Sequence, residues 1–185
     1  NTPSITGSAS GFTDHFSKPS FGHDALSLSL GSPIIRDRAS LFLSANWQNH
    51  ADSNPRHGVI AYEFERDKLS SNTFATLADG RLPHNRLNNR TIQGHLSARL
   101  NNNLPLQAHL TAKQTHRDYY IHSYRYNLPH APQTQQNANN GVLTLRYTHA
   151  PQTIFTAQFG LTTIGDHQGD GTHKKNLAAY LRPSG

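Results

Sequence analysis

The sequence predicts an all-β chain folded as an antiparallel up-and-down meander, and three observations carry that reading. Seven segments alternate apolar and polar residues with period two, Asn-, Pro- and Gly-rich breaks separate them, and helical periodicity is nearly absent. The alternating segments span residues 3–12, 24–31, 39–49, 90–101, 104–116, 140–149 and 153–164. A shorter run, VIAYEFE at 59–65, has the character of an extra strand inside a long connection.

Taken in order, the segments form hairpins whose two arms turn their apolar sides the same way. Leu26, Leu28 and Leu30 of ALSLSLG are expected to pair with Ala45, Leu43 and Leu41 of ASLFLSANW. In RTIQGHLSARL one face collects Ile92, Gly94, Leu96, Ala98 and Leu100, and the other Gln93, His95, Ser97 and Arg99. The next segment divides into Leu106, Ala108, Leu110 and Ala112 against Gln107, His109, Thr111 and Lys113. Folding about Asn103 sets Leu100 opposite Leu106 and Leu96 opposite Leu110. Leu143, Leu145 and Tyr147, then Phe155, Ala157, Phe159 and Leu161, repeat the pattern, with Thr144, Arg146, Thr156 and Gln158 on the other side.

The connections alternate in length. NNNLP and HAPQT are tight, Asn tolerating a left-handed backbone and Pro unable to extend a ladder, and GSPIIRDR is somewhat longer. Long loops are expected at about 50–89, 117–139 and from 165 onward, with QTQQNANN as a solvated loop tip. Tight turns at one end and long loops at the other, joined by long amphipathic strands, predict a transmembrane β-barrel wall with an apolar outer band and a polar interior.

Composition agrees with an ordered chain of unusual polarity. Of 185 residues, 15% are charged and 34% hydrophobic, so the polarity rests on neutral Asn, Gln, Ser and Thr together with 13 His. The net charge of +6 comes from scattered basic residues, with Lys174–Lys175 the only adjacent pair, and this dispersal argues against nucleic acid. Cysteine is absent, which excludes disulfides and zinc-thiolate sites. No apolar run reaches the ~18 residues of a membrane helix, a test that does not reach transmembrane strands. The chain starts at Asn1 and has no Met, which is expected of a mature form, a domain or a fragment.

The candidate functional residues follow from the alternation. His95, Arg99, His109, Lys113 and Arg146 share the polar face and are the expected lining of a hydrated lumen. Tyr119, Tyr120, Tyr124 and Tyr126 in RDYYIHSYRYN are candidates for ligand contact from an extracellular loop. Trp47, Tyr147 and Phe155 fall near strand ends, where amphipathic rings suit a membrane interface. His116, His122 and His130 lack a tight ligand spacing, and GDHQGDG at 165–171 lacks the ligand order of a calcium loop, so neither predicts a metal. No GxSxG, HExxH or P-loop occurs, and the expectation is no enzyme and no cofactor.

The order of these stretches resembles the barrel of TonB-dependent outer-membrane receptors of the kind carrying a carboxypeptidase-regulatory-like domain. The carrying stretches are ITGSASGFTD, LSLGSPIIRDRASLFLSANWQ, GRLPHNRLNNRTIQGHLSARL, RDYYIHSYRYNLPHAPQ, GVLTLRYTHAPQTIFTAQFG and GDGTHKKNLAAYLRPSG. The resemblance implies that residues 1–185 form one partial barrel domain, early strands after a plug that the chain does not contain. It further implies a bacterial outer-membrane location, outer-membrane lipid as surroundings, uptake of an unidentified small ligand, and coupling to TonB through that absent plug. Two alternatives stay open. One is a soluble β-sandwich or small barrel that binds carbohydrate, and the other a complete small barrel with a structural or adhesive role.

Overall fold

In the computed structural model of the chain, the described residues are 4–18, 20–53, 81–124, 127–150 and 152–173, excepting the His122 side chain. Seven strands run through them: β1 (Thr6–Thr13), β2 (His23–Ile35), β3 (Ala39–His50), β4 (Leu87–Asn101), β5 (Leu104–Asp118), β6 (Pro132–Ala150) and β7 (Thr153–Asp170). They form one antiparallel sheet in sequence order, β1 to β7, and β1 and β7 are its edges. The sheet is not closed into a barrel. The run at 59–65 lies outside the described residues.

Alternation becomes a two-faced sheet because every register preserves parity. One cross-strand row reads Gly7, Leu30, Leu43, Gly94, Leu110, Gly141 and Leu161. The parallel row on the opposite face reads Ser8, Ser29, Ser44, Gln93, Thr111, Asn140 and Thr162. All the predicted apolar positions fall on the first face. That face is not covered: Leu110, Phe159 and Leu161 are 63%, 68% and 73% exposed. Among the described residues the only buried hydrophobic ones are Leu82 and Ala131, both in connections beyond the sheet, so the strands enclose no core of their own.

Two expected registers are displaced by two residues. Leu96 stands opposite Ala108, not Leu110, and Leu30 opposite Leu43, not Leu41. Irregularities of one residue, at Pro33/Ile35 and Arg99/Asn101, sit next to the turns. A shift of two keeps every side chain on its face, so the face assignment survives.

The tight turns differ from expectation in their chemistry. GSPIIRDR is mostly strand: β2 runs to Ile35 and the turn is only Arg36, Asp37 and Arg38, with Asp37 at φ 56°. In the Asn turn no Asn takes a positive φ; Asn101 instead accepts the Asn103 N–H through its side chain at 2.9 Å. Neighbouring turns are laced together, the Arg99 N–H donating to Arg38 O at 2.7 Å and the Thr148 N–H to Asn103 O at 2.9 Å.

The long strands also outrun the alternation. β6 begins at Pro132, so QTQQNANN is strand and not a loop tip, and β7 continues to Asp170 through most of GDHQGDG. Both extensions are polar on both faces, which removes the period-two signal while leaving the backbone ladder intact.

Candidate functional site

The five predicted lumen residues lie on one face, as the parity of the registers requires. His95 and His109 are direct cross-strand partners, their ring centroids 6.3 Å apart. Lys113 stands opposite Thr91 and Ala138, Arg99 opposite Pro105, and Arg146 opposite Thr156. Arg99, His109, Lys113 and Arg146 are exposed and His95 half-buried. The groups between them bond across the strands: Ser8 and Ser29 hydroxyls at 2.8 Å, Ser44 donating to Gln93 at 3.4 Å, Asn140 to Thr162 at 2.7 Å, with Thr111 and His109 in contact at 3.0 Å. The face carries mostly neutral hydrogen-bonding groups and dispersed basic side chains, interrupted by exposed Phe12, Phe42, Ile154 and Ile164, with Phe42 directly opposite His95.

The apolar face has a defined border at one end. At the end bearing the long connections it gives way to a polar row of Thr13, Asp24, Asn49, Asn88, His116, Gln135 and His167. Trp47 stands just inside this border, and Tyr147 and Phe155 stack at 6.4 Å beside the β6–β7 turn at the other end of the face. The border slants across the registers. Leu26 of β2 lies in the row that reaches Gly165 of β7, yet the first large apolar group of β7 on that face is Leu161, four residues further along. Four residues of rise, about 13 Å, over five strand spacings, about 24 Å, tilt the band by about 30° against the rows.

Beyond that border sit the most buried polar groups, and the arrangement repeats. Each odd-numbered strand ends at or just before an aspartate: Asp14, Asp52, Asp118 and Asp170, in FTD, HAD, HRD and QGD. Asp14 accepts the N–H groups of Phe21 at 2.7 Å and His23 at 2.9 Å and the Ser20 hydroxyl at 3.0 Å. Desolvation opposes its ionisation, but these donors and the neighbouring His15 outweigh it and hold the carboxyl below its ordinary value. Asp52, 2% exposed, accepts the Leu82 N–H at 2.9 Å and the Asn85 amide. Asp118, 5% exposed, has Arg86 Nε at 3.3 Å and His116 Nε2 at 2.9 Å, the latter a close contact without hydrogen-bond alignment.

Asp170 is met by two histidines. Its Oδ2 lies 2.8 Å from Nδ1 of His130, which ends the 3-10 turn Leu128–His130, and 2.8 Å from Nδ1 of His173. Its Oδ1 accepts the Thr172 N–H at 3.1 Å and the His173 N–H. The approach is close because residue 171 is glycine: a Cβ there would lie 2.8 Å from Pro129 O. Beside Asp170 opens a cavity of about 430 Å³ lined also by His116, Gln133, Gln135 and His167.

Sequence reading found His116 and His130 but grouped them with His122, and it saw the 165–171 run without its partner. The structure puts His130 with Asp170 and His173 and His116 with Asp118. The D-x-x-H spacing of Asp170 and His173 was the available signal, but His130 comes from 40 residues away and has no local trace. Among the predicted loop tyrosines, Tyr119 lies under the Arg117 guanidinium at 5.0 Å, Tyr120 is half-buried and Tyr124 exposed, while Tyr126 lies outside the described residues. No helix among the described residues is long and apolar enough to cross a membrane. Comparison of the chain with protein-family models, curated proteins and solved structures returns no match.

Proposed function

We propose that the chain forms one arc of the wall of a β-barrel in the bacterial outer membrane, the barrel portion of a TonB-dependent receptor that takes up a scarce small ligand. The observation that carries the membrane reading is the exposed apolar face, with large apolar side chains on β2 to β7 and a polar border at the end bearing the long connections. A water-soluble sandwich needs a second layer over such a face, and no described residue supplies one. The slant of about 30° is near the strand tilt of outer-membrane barrels, roughly 35 to 45°. Strands β2 to β7, of 12 to 19 residues, exceed what a membrane crossing needs, which fits walls that project past the headgroups.

The receptor reading rests on the resemblance in strand order and on the other face. His95, Arg99, His109, Lys113 and Arg146, set among Ser, Thr, Asn and Gln, suit a water-filled lumen, and the loops beyond the aspartates suit capture of a ligand from outside. The chemistry is passive: no bond is made or broken, and energy coupling would come from the plug.

Since the chain has no cysteine, one introduced thiol reports one position. Leu110→Cys and His109→Cys, each carrying an environment-sensitive dye, made in the barrel that the proposal assigns this arc to and reconstituted in lipid vesicles, should give opposite responses. The dye at 110 should be quenched by spin-labelled acyl chains, and that at 109 by aqueous iodide. Equal access of iodide to both would overturn the membrane reading.

A further inference from the structure

We propose that His130, Asp170 and His173 form a binding site for a divalent late transition ion of the zinc class, at the loop end of the sheet. The inference stands on the geometry of this cluster and holds whether or not the strands lie in a membrane. Two imidazole nitrogens converge on one carboxylate oxygen, each at 2.8 Å, and one donor atom from each residue lies within 4.8 Å of the other two. In a tetrahedral zinc site with bonds near 2.0 to 2.1 Å the donors stand about 3.3 Å apart, so a small outward movement of the rings admits the ion.

The donor chemistry selects the class. Two imidazoles and one carboxylate suit zinc, nickel, copper or ferrous iron, whereas calcium and magnesium call for oxygen donors throughout. Asp170 is 8% exposed and the histidine side chains are about one-third exposed, so the donors are withdrawn from bulk water yet reachable. The anchoring is stiff: Asp170 ends β7, its other oxygen is held by two backbone N–H groups, and His130 closes a 3-10 turn.

An ion here would join the β5–β6 connection to the end of β7. Neither half of the site can make it alone, because His130 and the Asp170–His173 pair belong to different connections.

The test uses the whole chain in detergent micelles, titrated with zinc chloride against a chromogenic indicator and, separately, with cobalt(II) chloride. One zinc should bind more tightly than the background of the remaining histidines, and cobalt should give visible bands of a four- or five-coordinate site. His130→Gln and His173→Gln, which keep a donor toward Asp170, should each weaken zinc at least tenfold, and the pair His95→Gln with His109→Gln should leave that affinity unchanged. Zinc should also protect His130 and His173 of the unsubstituted chain from diethylpyrocarbonate, read by mass spectrometry, a result that depends on no variant. Unchanged zinc affinity in the His130→Gln/His173→Gln double variant, or equal modification of both residues with and without zinc, would overturn the site.

Discussion

Asp52 shows how much a single short side chain does where so few of the described residues are buried. One oxygen accepts the Leu82 N–H and the other the Asn85 amide, closing the ends of a connection that runs from 51 to 86, and the nearby Ser53 N–H donates to Asn85 O at 2.7 Å. Asp52→Ala would strand a buried backbone N–H and a buried amide, and the expected loss is about 1 to 3 kcal/mol. Chemical denaturation in micelles should register it as a lowered midpoint. The motif was present in the sequence as Asp just past the last alternating residue of each odd strand. It carries no meaning there by itself, because an aspartate after a strand is equally at home in any turn; only the backbone donors that converge on Asp14, Asp52 and Asp170 distinguish an anchor from a solvated carboxylate.

At the scale of elements, the strands and their faces were legible and their lengths were not. Period two survives any register shift of two, so Leu96 and Leu110 could be assigned to one face although they are not partners. The turns, which decide register, use Asn101 as an acceptor and Asp37 in the left-handed region, and composition does not separate those uses. The apolar row itself has a structure that alternation does not reveal: Leu110 lies between Gly94 and Gly141, and a Cβ at 141 would come within 3.1 Å of the Leu110 side chain. Leucine leaning over glycine gives a smooth surface, suited to acyl chains. Leu110→Arg on that face should cost roughly 2 to 4 kcal/mol at mid-membrane depth. Lys113→Glu, on the opposite face, should cost far less, and equal unfolding free energies for the two in lipid would remove the orientation.

The whole molecule is governed by the parity of its strand count. In a meander alternate strands reverse, so β1 and β7 point the same way and cannot pair antiparallel with each other. Among the described strands β1 and β7 are the outermost, hydrocarbon does not tolerate an open sheet edge, and the membrane reading requires strand pairing on both sides. Seven strands would also make a barrel narrower than the eight-stranded ones whose interior side chains alone fill. Ser8 and Thr162 stand in the same row at opposite edges, while Ser8 and Ser29 are direct partners with hydroxyls 2.8 Å apart. Under mild oxidation Ser8→Cys/Ser29→Cys should cross-link within the chain, changing its gel mobility without doubling its mass. Ser8→Cys/Thr162→Cys should yield no such intrachain species. Its appearance would mean that the arc curls closed on itself, and the requirement for further strands would fall.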